Sequence, residues 1–520
     1  MKTNTLATPT AAPSKMPDIF RLGTALLFLM ILLWVSDIWF STLQGSYLLI
    51  AATVIGGYMA MNIGANDVAN NVGPAVGSKA LTLVGAIVLA AIFEASGALI
   101  AGGDVVSTIK KGIINPNLIE DANTFIWLMM AALLAAAIWL NLATAFGAPV
   151  STTHSIVGGV LGAGIAAGGF GIAAWGKMGA IVASWVISPV MGGIIAAIFL
   201  YLIKRTITYR SDKIAAAKRM VPLLITLMTW SFSTYLILKG LKKIWKTDFP
   251  TALAIGLALA ILAYFIVRPL IVRAANKLPN HKDSINQLFT IPLIFSAALL
   301  SFAHGANDVA NAVGPLAAIN DSVIHGGIAQ KAAIPLWIMA VGAIGIALGL
   351  ALYGPKLIRT VGSEITHLDP MRAFSVAMAA SITVIIASQL GLPVSSTHIA
   401  VGAVFGVGFL REYLKASYEC ILIDIKEHHA DKDASVVDKF LGEFETASAR
   451  EKCNMLLRLK HQSKNKGITK KERKVLKKLN RKELVKRSAF SRIIAAWLIT
   501  VPVSAVMAAM FYFMIRGILV

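Results

Sequence analysis

A chain of 520 residues that is 57% hydrophobic and 14% charged, with a mean hydropathy of +0.72, is too apolar for ordinary soluble domains and reads as a polytopic membrane protein. Its net charge of +22 comes from 48 Lys and Arg against 26 Asp and Glu. These basic residues lie almost entirely between the apolar runs, so the charge speaks for loops held in the cytoplasm and against nucleic acid as a partner.

The polar start, up to Pro17, precedes an apolar run too long for a signal-peptide core and without a clear small-residue cleavage site, so Thr24 to Thr42 is expected to remain as a first helix. Runs long enough to cross a bilayer follow at about 47–63, 80–102, 124–146, 150–169, 174–203, 220–240, 250–268, 286–303, 332–354, 371–391, 394–411 and 491–516. The expected fold class is an all-α, polytopic transmembrane helical bundle with inverted-topology repeats and two helical hairpins. Its parts are the N-terminal tail and first helix (1–46), a first transport repeat (47–203), linking loops and helices (204–285), a second transport repeat (286–411), a basic cytoplasmic loop (412–490) and a last helix (491–520). Cys420 and Cys453 fall in that loop, form no CxxC pair, and read as free cytosolic thiols. Its dense basic stretch from Lys464 to Arg487 reads as a solvated hairpin rather than a lipid-bound helix, and His428, His429, Asp431 and Asp433 resemble a metal cluster only loosely.

Alternating sides from a cytoplasmic N-terminus puts the basic loops at Lys79, Lys204 to Arg219, Arg268 to Lys282, Lys356 to Arg372 and 411–490 inside; only Lys242, Lys243 and Lys246 fit poorly. That count inverts one half of the chain relative to the other. Inverted repeats are a common plan of secondary transporters, with substrate held near the bilayer midplane.

The halves are marked by duplicated phrases. Gly64 to Pro74 reads GANDVANNVGP and Gly305 to Pro315 reads GANDVANAVGP, differing only where Asn71 is replaced by Ala312. On a helix, Asp67, Asn70 and Asn71 share a face, and Asp308 and Asn311 repeat most of it. Carboxylate and amide oxygens converging in a dry site suit a small cation or a proton. Hydrogen bonding between neighbouring helices is the plainer use, but an intramembrane carboxylate costs roughly 2.5 to 3.5 kcal/mol, and the same context carries that cost twice.

The second phrase is PVSTTH at Pro149 to His154 and PVSSTH at Pro393 to His398. A proline and a run of hydroxyls ahead of a glycine-rich apolar segment mark a helix N-terminus, where unpaired N–H groups and the dipole bind oxyanions. Capping alone would use one hydroxyl. Ser151, Thr152 and Thr153 with Ser395, Ser396 and Thr397 are the candidate anion ligands, on hairpin tips that meet at the midplane if 124–169 and 371–411 are re-entrant. An anion beside two aspartates repels them in low dielectric, so a cation or proton must enter with it, which is symport.

Glu94, in mid-run, and Asn141 and Gln389, ahead of the tips, are accessory candidates; His154 and His398 read as packing histidines, and Asp37 as interfacial. No Walker A loop, zinc motif, Ser-His-Asp order or nucleophile with its base is present, so an enzyme is not expected, and neither is a cofactor.

With both phrases in view, the chain resembles the PiT family of inorganic phosphate transporters over roughly 47–203 and 286–411, through GANDVANNVGPAVGSKALT at Gly64 to Thr82, GANDVANAVGP and the two hairpin phrases. The resemblance implies phosphate carried with sodium or protons. It places Asn66, Asp67, Asn307 and Asp308 at cation-coupling positions, to which the helix face read above adds Asn70 and Asn311, and the Ser/Thr runs at phosphate contacts. The large hydrophilic loop of animal members lies between the halves, whereas here it follows the second hairpin, so no regulatory role carries over. Some bacterial relatives are sulfate permeases, which leaves sulfate as the alternative anion; an anion channel or membrane receptor is the alternative class. The expected partners are inorganic phosphate, sodium in preference to protons, and the lipid bilayer of the cytoplasmic membrane; a homodimer is among the assemblies the sequence allows.

Overall fold

The computed structural model describes residues 18–43, 45–119, 121–240, 245, 247–327, 334–363, 368–428 and 487–519. Every expected apolar run is helical: α1 (Asp18–Phe40), α2 (Ser46–Asn66), α4 (Leu83–Ala101), α6 (Ala122–Ala145), α7 (Thr152–Gly168), α8 (Trp175–Ile203), α9 (Lys213–Tyr235), α10 (Phe249–Ala275), α12 (Thr290–Asp308), α14 (Leu336–Ser363), α15 (Pro370–Gln389), α16 (Ser396–His428) and α17 (Arg487–Leu519). Among the described residues, four more α-helices lie outside or at the edge of the expected apolar runs: α3 (Val68–Gly77), α5 (Gly103–Lys111), α11 (Lys282–Leu288) and α13 (Ala310–His325). The sequence hid α3 and α13 because their Asn, Gly and Pro residues interrupt the hydropathy, while tertiary packing holds them helical with Pro74 and Pro315 inside.

Among the described residues, eleven helices are long and apolar enough to cross a bilayer, with α2–α3 forming one 32-residue span and α12–α13 one of 36 residues. Exposed apolar side chains crowd the outer helices, for example Leu27, Met30 and Trp34 on α1 and Leu262, Phe265 and Ile266 on α10. Each such surface finds a favourable solvent in hydrocarbon, and the chain is a multi-pass membrane protein.

The interior is built by exchange between the halves. Helix α2 packs on α14 and α12 on α4; α7 packs on α17 and α16 on α8. Glycine makes the first two contacts close: a Cβ on Gly64 would collide with the carbonyl oxygen of Ile346, and one on Gly305 with that of Glu94. The motif glycines therefore admit a neighbouring backbone without breaking their helices, since Gly64 and Gly305 both sit inside continuous helical turns.

Two hairpins, α6–α7 and α15–α16, complete the core. Both turn on a glycine with positive φ, Gly147 at 71° and Gly391 at 65°. Past the turn, Pro149 and Pro393 lead into N-cap serines: Ser151 Oγ accepts from the N–H of His154 at 3.1 Å, and Ser395 Oγ from that of His398 at 3.2 Å. Cys453 and the stretch 464–486 lie outside the described residues, as do His429, Asp431 and Asp433.

Candidate functional site

The hairpin tips and the duplicated motifs form one buried centre. Thr152 Oγ1 donates to Asp67 Oδ2 at 2.5 Å and Thr397 Oγ1 donates to Asp67 Oδ1 at 2.8 Å, so one carboxylate is bonded to both tips. Ser396 Oγ donates to Asp308 Oδ2 at 2.7 Å. The amides tie the same groups together: Asn70 Nδ2 donates to Thr397 Oγ1 at 2.8 Å, and Asn311 Nδ2 lies 3.0 Å from Thr152 Oγ1 and 3.2 Å from Thr153 Oγ1. Thr153 Oγ1 in turn donates across to the carbonyl of Val394 at 3.0 Å, joining tip to tip. All of these side chains are buried.

Asn66 and Asn307 sit one position before the aspartates and brace the hairpins. Asn66 Nδ2 donates to Thr144 Oγ1 at 2.9 Å and to the carbonyl of Ala148 at 3.2 Å, while its Oδ1 accepts from the N–H of Val150 at 3.1 Å. Asn307 Nδ2 donates to Ser388 Oγ at 3.0 Å. The matched partners Thr144 and Ser388 were not singled out from sequence, although each is the hydroxyl-bearing residue shortly before its hairpin turn.

Three differences from the sequence reading have physical causes. The acids and hydroxyls were assigned to separate cation and anion positions; folded, they hydrogen-bond to one another. Asn71 does not share the cage face with Asn70, because its Nδ2 donates to Glu94 Oε1 at 2.7 Å. His304 was overlooked among apolar residues, yet its Nδ1 is 2.6 Å from Glu94 Oε2 and its Nε2 is 3.0 Å from Asp308 Oδ2, the latter an ion-pair approach off the hydrogen-bond direction. A histidine immediately before the second motif, where the first has Ile63, was the available signal.

Of the accessory candidates, Glu94 joins this centre, Asn141 is exposed on α6, and Gln389 is half-buried with its Nε2 without a hydrogen-bond partner among the described residues. His154 and His398 are packing residues as expected, their ring centroids 4.3 Å apart, with His154 on Trp185 at 3.8 Å and His398 on Trp497 at 3.6 Å.

Chemically, the centre offers hard oxygens to a cation and helix N-termini to an anion. Asp67, His304 and Asp308 each present a ligand atom within 4.8 Å of the others, and Asp308 Oδ1 and Asn70 Oδ1 are buried oxygens without a hydrogen-bond partner among the described residues. The N-termini of α7 and α16 add backbone N–H groups with positive dipole ends.

Such a membrane-embedded centre, polar and charged between two helical hairpins, defines a class of solute-carrying helical bundles. The model of the phosphate transporter family matches residues 63–508, and the chain belongs to that family. It is 53% identical over 506 residues to a protein of Helicobacter pylori strain J99 described as a putative phosphate permease, with 95% of each chain covered. A putative phosphate permease of Pyrococcus abyssi is 41% identical over 379 residues, covering 72% of this chain and 92% of the relative. Among solved structures, one titled "The sodium-dependent phosphate transporter" superposes with a TM-score of 0.73 at 31% identity, covering 91% of this chain and all of that one.

Proposed function

We propose that the protein is a secondary active symporter that imports inorganic phosphate with a cation, sodium rather than a proton, by alternating access. The observation that carries this reading is the pair of hydrogen bonds to Asp67, one donated by a hydroxyl from each hairpin. A hydroxyl has one hydrogen, and while Thr152, Thr397 and Ser396 donate theirs to Asp67 and Asp308 they have none for an oxyanion. A cation that takes up the carboxylate oxygens weakens those bonds and frees the hydroxyls, so its arrival prepares the tips for phosphate. Thr152, Thr153, Ser396 and Thr397 then act as direct anion ligands, and Ser151 and Ser395 as the caps that hold the two helix ends open toward it.

The same argument explains why neither ion enters alone. Phosphate beside two bare carboxylates meets like charge in low dielectric, and the cation removes that repulsion. Neutral amide oxygens such as Asn70 Oδ1 favour sodium, and so does the likeness to a solved sodium-dependent phosphate transporter. The exchange of partners between halves supports inverted repeats. At 17 residues α7 is about 26 Å long, short of a hydrocarbon core of about 30 Å, which supports a re-entrant arm.

The test is uptake of labelled phosphate into vesicles containing the purified protein, with sodium and pH gradients imposed separately and sulfate as competitor. Accumulation driven by inward sodium and unaffected by excess sulfate is expected. Uptake indifferent to both gradients would make the protein a channel, and preferential sulfate accumulation would make it a sulfate carrier.

A further inference from the structure

The two aspartates occupy equivalent places but not equivalent surroundings. Gly64 on α2 faces the carbonyl of Ile346 on α14, and Gly305 on α12 faces that of Glu94 on α4. One turn on, Gly349 faces the carbonyl of Met61 and Gly97 that of Phe302, which fixes the correspondence: Ile346 stands opposite the first motif where Glu94 stands opposite the second. In the same frame Ile63 precedes the first motif where His304 precedes the second, and Asn71 in the first motif answers Ala312 in the second. Three positions are therefore polar on one side and apolar on the other, and the polar three are hydrogen-bonded to one another and stand against Asp308.

The series runs by hydrogen bonds from Asn71 Nδ2 to Glu94 Oε1 at 2.7 Å and between Glu94 Oε2 and His304 Nδ1 at 2.6 Å, and then by an ion-pair approach from His304 Nε2 to Asp308 Oδ2 at 3.0 Å. Glu94 and His304 are both fully buried. It ends on the carboxylate oxygen that also accepts from Ser396, leaving Asp308 Oδ1 without a hydrogen-bond partner among the described residues. Asp67 has no such support, and hydroxyls from the two tips occupy both its oxygens.

We infer that Asn71, Glu94 and His304 are positioning residues for Asp308 alone, holding its Oδ2 so that Oδ1 is presented as a fixed cation ligand, while Asp67 is the movable latch between the hairpins. The one-letter difference between the duplicated motifs follows from this. Asn71 satisfies a buried carboxylate that exists on one side only, and opposite Ile346 an asparagine would have nothing to bond, so alanine stands there. A fixed ligand lowers the cost of ordering the site when the cation binds, so the chain acts on cation affinity and not on the anion tips.

This inference rests on the symport reading, and its test separates the two. Phosphate uptake by vesicles holding the full-length protein is measured against external sodium at saturating phosphate, and against phosphate at saturating sodium. Glu94→Gln and His304→Asn are each expected to raise the sodium concentration for half-maximal uptake at least fivefold, with the phosphate constant changing less than twofold. Their combination is expected to do no more than the larger single change, because they break one series. Asn71→Ala, which makes the first motif read like the second, is expected to shift sodium dependence two- to threefold in the same direction, and it carries the test if either of the others fails to reach the membrane. Unshifted sodium curves, multiplicative effects in the double variant, or phosphate constants moving as far as the sodium constants would overturn the positioning role. A wild-type protein that ignores sodium would overturn the symport reading, and this inference with it.

Discussion

Asp67 is the residue on which the two halves of the molecule meet, and Asp308 the one the interior holds still. Asp67→Asn keeps the shape but loses the charge that a cation would neutralise; concentrative phosphate uptake is expected to vanish while the amount of protein in the membrane stays unchanged. Asp308→Asn is expected to do the same, and accumulation at wild-type levels by both variants would remove the carboxylates from the coupling scheme. A different residue-scale change tests packing. Gly305→Ala puts a methyl into the carbonyl of Glu94, and overpacking of this kind costs about 1 to 3 kcal/mol, so a fall in the thermal midpoint of the purified protein is expected.

At this scale the sequence was informative wherever residue identity was doubled. Asp67, Asp308 and the tip hydroxyls were legible because repetition of costly polar residues in apolar context outweighs the plainer use in bonding neighbouring helices. His304 and Asn71 were not, since their meaning lies in a departure from the repeat, and only packing shows that Glu94 stands between them. Which oxygen meets which hydroxyl depends on helix rotation that hydropathy does not encode.

Among the elements, the hairpins depend most on turn chemistry. Gly147 and Gly391 reverse the chain, the prolines set the re-entry, and the serine caps start α7 and α16. With the caps left in place, replacing Thr152 and Ser396 together by Ala removes one hydroxyl from each aspartate and leaves Thr397 on Asp67. The expected outcome is a phosphate half-saturation constant raised at least tenfold, since two anion hydrogen bonds of about 1 kcal/mol each are lost. An unchanged constant would return these hydroxyls to a structural role. The apolar runs placed every long helix, because length and hydropathy suffice for a span, but α3 and α13 escaped notice where amides and proline break the pattern.

For the whole molecule, the charge count and the exchange of helices between halves lead to one expectation: equivalent positions in the two repeats lie on opposite sides of the membrane. Ser322 is buried and Ser78 half-buried, so the exposed neighbours Lys79 and His325 are the better reporters. In a background without Cys420 and Cys453, Lys79→Cys and His325→Cys are expected to react with an impermeant maleimide from opposite faces; labelling from one face would rule out the inverted arrangement.

The clasp of α7 by α17, and of α16 by α8, bears on how the protein is made. The first hairpin leaves the ribosome long before the helix that covers it: α7 ends at Gly168 and α17 at Leu519, an interval of about 20 to 70 s at ordinary elongation rates of roughly 5 to 20 residues per second. Throughout that interval the polar tip at Ser151 to Thr153 has no final enclosure. Biogenesis therefore needs a temporary shelter, such as an insertase or an early docking of the tip on α2 and α3, and a nascent chain stalled before Arg487 leaves its first half soft to membrane proteases.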